Sequence, residues 1–249
     1  MKAVLVLDKD RTPSNQTQNA TIPRGGLRSI IPQRRVSRTQ PRFAATAAAI
    51  WAALAPWCAM GQAADKATSL SQPESVATVS GLVSTTSGRK LPEMIVYLES
   101  TDPDRRFPLP RQPAVINQKG AKFSPPLLAI TIGQTVEFVN DEDRPIEHNV
   151  FSRAPVKSFD LGLYRPGISK FVTFNKAGVV PLYCSIHRYM DGIIFVSPTP
   201  MFAQVEKDGR YTIANVPPGQ YNVKTWQRSR RFVEQSHRIT VESGQNVTI

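Results

Sequence analysis

Cysteine and histidine are scarce in this chain, with two and three copies among 249 residues. No C-x-x-C-H run occurs, which excludes a c-type haem attachment site. No G-x-S-x-G elbow occurs, and no histidine sits near a credible carboxylate partner except His237, so a serine hydrolase is the weakest reading. RNP, zinc-finger and helix-turn-helix patterns are also missing, although the formal charge is +12. That charge is uneven: residues 1–64 hold nine Lys/Arg against two Asp/Glu and carry +7 of it. The remaining +5 is spread over mixed signs, so no nucleic-acid partner is expected. Beyond residue 75 there is no sustained 3.6-residue periodicity, which argues against a helical domain.

The apolar run Phe43–Met60 is shorter than the roughly 20 residues a membrane span needs. Arg34, Arg35, Arg38 and Arg42 precede it, Pro56 lies late within it, and Gly61-Gln62-Ala63-Ala64 follows. That order is the layout of a secretory signal cleaved near Ala63 or Ala64, and it predicts a periplasmic protein with no stable membrane insertion after cleavage. An uncleaved anchor is the alternative. Arg34-Arg35 lacks the apolar pair that usually comes after a twin arginine. Residues 1–33 show no periodicity and read as a disordered extension or as the product of a start codon placed too far upstream. Cys58 lies inside the signal, so the exported chain keeps one thiol, Cys184. An unpaired thiol in an oxidising compartment calls for another partner, and a metal fits.

Residues 65–75 are polar and read as a linker. Beyond them short β-prone runs recur between turn signals: 78–84, 94–98, 127–132, 135–140, 168–174, 179–184, 192–197, 202–206, 211–214, 221–227, 238–242 and 246–249. This predicts an all-β chain of sandwich type. The last fifty residues or so are too few to bury a core alone, so they are expected to borrow strands.

The chemistry-bearing motif is Tyr183-Cys184-Ser185-Ile186-His187-Arg188-Tyr189-Met190, with His148-Asn149-Val150 upstream. A thiolate, two imidazoles and a thioether form a soft N/S donor set that selects type 1 (blue) copper over carboxylate-preferring ions. Val180, Leu182 and Cys184 share one face of a strand, which carries the thiol inward, and His187 and Met190 come next in one tight loop. Taken singly, each residue has a blander explanation: a buried small hydrophobe, a hydrogen-bonded histidine, a core methionine. Their joint spacing outweighs these, whereas His237 has no such company and reads as a solvated side chain. With two of three histidines committed, a self-contained multicopper oxidase or copper nitrite reductase is excluded, and no enzyme activity is expected. One remaining cysteine also excludes a bridged two-cysteine binuclear site.

The pattern C-x2-H-x2-M with an upstream H-N-V resembles the cupredoxins, and its loop length matches amicyanin more than plastocyanin. Phe123-Ser124-Pro125, Gly133–Asn140 and Ala177-Gly178-Val179 extend the resemblance over residues 113–198. It implies a Greek-key β-sandwich, one copper bound by Nδ1 of His148 and His187, the Cys184 thiolate and an axial Met190, and an Asn149 that ties the two ligand loops together. It also implies single-electron transfer with a redox protein partner. Arg188, standing where amicyanin has proline, and Pro181, within the strand to the cysteine, depart from the pattern; the Pro181 nitrogen should face an edge or an irregularity. Copper storage or delivery, and a structural module braced by the metal, are the alternatives.

Residues 79–100 resemble the opening hairpin of carboxypeptidase regulatory-like (transthyretin-like) domains, and the stretch from Asp208-Gly209 through Tyr221-Asn222-Val223 resembles the later strands of that family. The implied organisation is an extension with signal (1–64), a linker (65–75), an Ig-like domain split into 76–112 and 199–249, and the cupredoxin domain (113–198) inserted between its halves.

Overall fold

The computed structural model describes residues 3–6, 75–85, 90–229 and 236–249. The expected signal run and cleavage site lie outside these residues.

Two sheets enclose the core that carries the site. One runs in the order Ser169–Thr173, Thr135–Asn140, Ala114–Lys119, Lys122–Ser124; the other in the order Leu127–Thr131, Asp191–Ser197, Gly178–Tyr183, Phe151–Arg153, Ser158–Asp160. Each sheet contains one parallel pair, Ala114–Lys119 with Thr135–Asn140 and Leu127–Thr131 with Asp191–Ser197, and the other pairings are antiparallel. Alternation places Val136 and Phe138 of one sheet, and Val180, Leu182, Ile194 and Val196 of the other, in a shared core with Ile116, Ile130 and Phe174. Each such side chain contributes about 1.5–3 kcal/mol on full burial.

A second pair of sheets draws on both ends of the chain. Ala77–Thr85 pairs antiparallel with Arg210–Val216 and in parallel with Val247–Thr248, while Met94–Ser100 pairs with Phe202–Gln204 and Gly219–Gln227, the latter also with Ser236–Val241. Val79, Val83, Met94, Val96 and Leu98 bury against Tyr211, Ile213, Tyr221 and Val223. The Asp208-Gly209 turn requires its glycine: φ is 91°, and a Cβ would lie 2.2 Å from the Val83 carbonyl oxygen.

Strands Asp191–Ser197 and Met94–Ser100 each serve two cores. Ile194 and Val196 face one sandwich and Met94, Val96 and Leu98 the other, whereas Ile193 and Phe195 meet Ile95 and Trp226 in a third cluster. Phe195 stacks on Trp226, centroids 5.2 Å apart, and lies 5.1 Å from Tyr97. This double packing explains why Gly192–Ser197 is buried without interruption.

The sequence reading missed five strands. Three of them, Lys122–Ser124, Phe151–Arg153 and Ser158–Asp160, have three residues each, too few for a period-2 signal, and a fourth, Ala114–Lys119, ends in the polar run Asn117-Gln118-Lys119. The fifth, Ala3–Val6, corrects the expectation of disorder at these four positions: it pairs in parallel with Leu82–Thr85. Its AVLV sequence is β-prone, but four residues show no alternation.

Candidate metal centre

The strand Gly178–Tyr183 delivers the thiol. Val180 and Leu182 point into the core, and Cys184, next on that face, is 6% exposed and unpaired. Pro181 lies opposite Ile193 on one side, while on the other only Tyr183 pairs, with Phe151. The second ladder is therefore interrupted where the proline lacks a donor. The chain then turns, with Met190 N–H donating to the His187 carbonyl at 3.0 Å. His187 is partly exposed between exposed Ile186 and Arg188, while Met190 is buried in the same core cluster as Cys184.

His148 arrives from the other side of the site. It forms an isolated bridge with Tyr164, each backbone N–H donating to the other's carbonyl at 3.1 and 2.9 Å. The imidazole is fully buried, and its Nε2 lies 2.9 Å from Glu142 Oε1. Its Nδ1 is buried with no hydrogen-bond partner. A buried ring nitrogen without a partner carries a desolvation cost that a ligand would relieve. Candidate donor atoms of His148, Cys184 and His187 lie within 4.8 Å of one another, with Cys184 Sγ 3.6 Å from His187 Nδ1 and the imidazole centroids 4.8 Å apart. Among the described residues this is the one cluster of three such groups. Its donors suit a soft or borderline metal ion.

Asn149, next to His148, ties that segment to the loop after Cys184. Its Oδ1 accepts from Ser185 N–H at 3.2 Å, and its Nδ2 donates to Asp160 Oδ1 at 2.6 Å. Gly162 N–H, and then Asn149, hold the Asp160 carboxyl below the usual carboxylate range. The His148 hydrogen bond likewise lowers Glu142, against a partial burial that pushes it up. Burial raises the Tyr164 phenol to about 12.

Glu142, Asp160 and Tyr164 were not singled out from sequence. Asp141, Glu142, Asp143 and Glu147 look alike in a charged loop, yet the Glu142 side chain is 7% exposed and that of Asp143 81%. Only the fold distinguishes them. His237 is exposed on the strand Ser236–Val241, opposite Val223.

Residues 202–249 match the family model for polysaccharide lyase family 4, domain II. No curated protein sequence matches the chain. Among solved structures, the chain is similar to a purple cupredoxin from Nitrosopumilus maritimus, at 28% identity over 34% of this chain and 99% of that one, TM-score 0.31. It is similar to a copper-containing nitrite reductase from Thermus scotoductus, at 29% identity over 40% of this chain and 25% of that one, TM-score 0.33. A reduced amicyanin variant is 22% identical over 41% of this chain and 98% of that one, TM-score 0.32. The fold and the site together define an all-β protein with a buried Cys/His cluster suited to a metal ion.

Proposed function

We propose that the chain is an exported cupredoxin whose type 1 copper is held by His148, Cys184, His187 and Met190 and serves single-electron transfer. The observation that carries this reading is the buried, unpartnered Nδ1 of His148 beside the Cys184 thiol and the His187 imidazole. The donor set suits copper, which would supply one-electron chemistry between Cu(II) and Cu(I). The protein's part is to hold that donor set still. Burial keeps water from Cys184, the His148–Tyr164 bridge fixes the backbone of His148, and Asn149 fixes the ligand loop against the Asp160 segment. Partial exposure leaves the His187 edge as the contact for a redox protein partner.

In this reading residues 113–198 form the copper domain, inserted into an Ig-like domain of carboxypeptidase regulatory-like type made from 76–112 and 199–249. The strand pairs between 77–85 and 210–216 favour this division. The protein is periplasmic after removal of residues 1–64 and is not an enzyme. Among the described residues no helix is long and apolar enough to cross a membrane. N-terminal sequencing of the exported protein tests the cleavage; an intact Arg34–Trp57 segment would favour an anchor.

Copper loading with visible and electron-spin spectroscopy tests the function. The wild type should show an intense thiolate-to-copper band and reversible reduction, and Cys184→Ser should abolish the band. A colourless, redox-silent wild type overturns the reading, as zinc in the same site would give. Copper delivery is the second reading, favoured by the exposed ligand loop from Ser185 to Tyr189. It predicts ready loss of Cu(I) to a chelator, where a carrier retains copper through many cycles.

A further inference from the structure

Glu142 occupies a position that a solvated loop acid would not take. Its carboxylate receives the His148 Nε2 at 2.9 Å and the backbone N–H of Ala121 at 3.4 Å. Ala121 belongs to the two-residue turn Gly120-Ala121 that closes the hairpin between Lys119 and Lys122. Both turn residues have positive φ, 59° and 55°. Two such residues in succession are the signature of a type I′ turn, where glycine is the usual second residue. Alanine there is strained, and strained backbone persists where surrounding contacts over-determine it. Here the left-handed Ala121 turns its N–H onto Glu142.

The loop is held from its other end as well. Asn140 is fully buried; its Nδ2 donates to the carbonyls of Ile146 at 3.0 Å and Tyr164 at 2.9 Å, and its Oδ1 accepts from Glu142 N–H at 3.3 Å. Glu142 is thus fixed by backbone on one side and by a buried amide on the other, and Tyr164 in turn pairs with His148. A carboxylate accepting from Nε2 selects the imidazole tautomer protonated there and frees Nδ1 as a ligand atom. That assignment agrees with the buried Nδ1 that has no partner.

We propose that Glu142, anchored by the Gly120-Ala121 turn, is a positioning residue that sets the tautomer and orientation of His148 and biases the site toward the more highly charged metal state. The second half of this inference rests on the copper reading; the first half does not. A negative charge one imidazole ring from the ligand atom stabilises Cu(II) over Cu(I), so the pair of roles separates charge from geometry. Glu142→Gln keeps an acceptor for Nε2–H and removes the charge, whereas Glu142→Ala removes both.

The test uses the full chain in two states. In the metal-free protein at neutral pH, nitrogen-15 NMR of the His148 ring should show Nε2 protonated in the wild type and in Glu142→Gln, and mixed tautomers in Glu142→Ala. In the copper-loaded protein, Glu142→Gln should keep the thiolate band while shifting the Cu(II)/Cu(I) preference tenfold or more toward Cu(I), about 59 mV for one electron. Should Glu142→Ala fail to fold, the Gln potential together with the wild-type tautomer decides. A wild-type His148 protonated on Nδ1, or a Gln variant with an unmoved potential in a blue protein, overturns the proposal. A wild type without the thiolate band but with the expected tautomers instead overturns the copper reading and leaves the positioning role intact.

Discussion

Replacing Asn149 by alanine separates the scaffold of the site from its ligands. The side chain is 3% exposed and makes two hydrogen bonds, to Ser185 N–H and to the Asp160 carboxylate. A neutral bond contributes about 0.5–1.5 kcal/mol and one to a charged group about 1.5–3. Both partners are exposed and regain water when released, so the loss belongs near the lower end, about 2 kcal/mol. Urea unfolding of the metal-free variant measures it, as a lower midpoint at constant m-value. The loss should also depend on pH in a defined direction. The folded-state pKa of Asp160 is depressed, so its contribution is present above the ordinary aspartate pKa and vanishes as pH falls through the folded value. The gap between wild type and Asn149→Ala should therefore narrow in acid, as Asp160 takes up its proton, to the share that belongs to the pH-independent Ser185 bond. In the copper-loaded protein the ligand loop loses its tie at Ser185, and Cu(I) should pass to a chelator faster while the thiolate band persists. A loss below about 0.5 kcal/mol with unchanged copper release would refute the reasoning, because a bridge worth that little cannot hold the loop.

Three further outcomes are expected. Met190→Gln should retain copper and colour while shifting the reduction potential, as a thioether would be the weakest of the four proposed donors; complete loss of the band would mean that Met190 does more than tune the site. Phe195→Ala should cost about 3–5 kcal/mol in denaturant unfolding, since it removes a buried ring that stacks on Trp226 and meets Tyr97 at a tilt. The copper spectrum should survive that change, because Phe195 faces the second pair of sheets. Tyr211 has a buried hydroxyl without a hydrogen-bond partner, and burial raises its pKa to about 12. The unfolded chain loses this proton from about pH 10 upward while the folded one keeps it, so stability falls by up to about 2 kcal/mol between pH 10 and 12. Tyr211→Phe should remove that alkaline loss and match or exceed wild-type stability at neutral pH; a marked loss at neutral pH would reveal a partner for the hydroxyl.

The sequence alone determined the all-β character and the candidate ligands. Alternation of apolar residues along 135–140 and 178–184 specifies which face is buried, and a thiol, two imidazoles and a thioether within short spacings specify a donor set; both are local properties of the chain. The turn at Asp208-Gly209 was legible for the same reason. Features that could not be read locally were decided by distant segments meeting. Which of four similar acids turns inward depends on where the Gly120-Ala121 hairpin lies against the Asp141–Glu147 loop, two segments about twenty residues apart. The three-residue strands at Phe151–Arg153 and Ser158–Asp160 exist because neighbours supply their hydrogen bonds, not because their own pattern demands it. The double burial of Asp191–Ser197 likewise arises from Trp226 and Ile95 packing on its outer face. The candidate ligands are written in the order of residues, whereas the orientation of His148 and the anchoring of the loop after Cys184 are set by Glu142 and Asn149, which only the tertiary fold brings beside them.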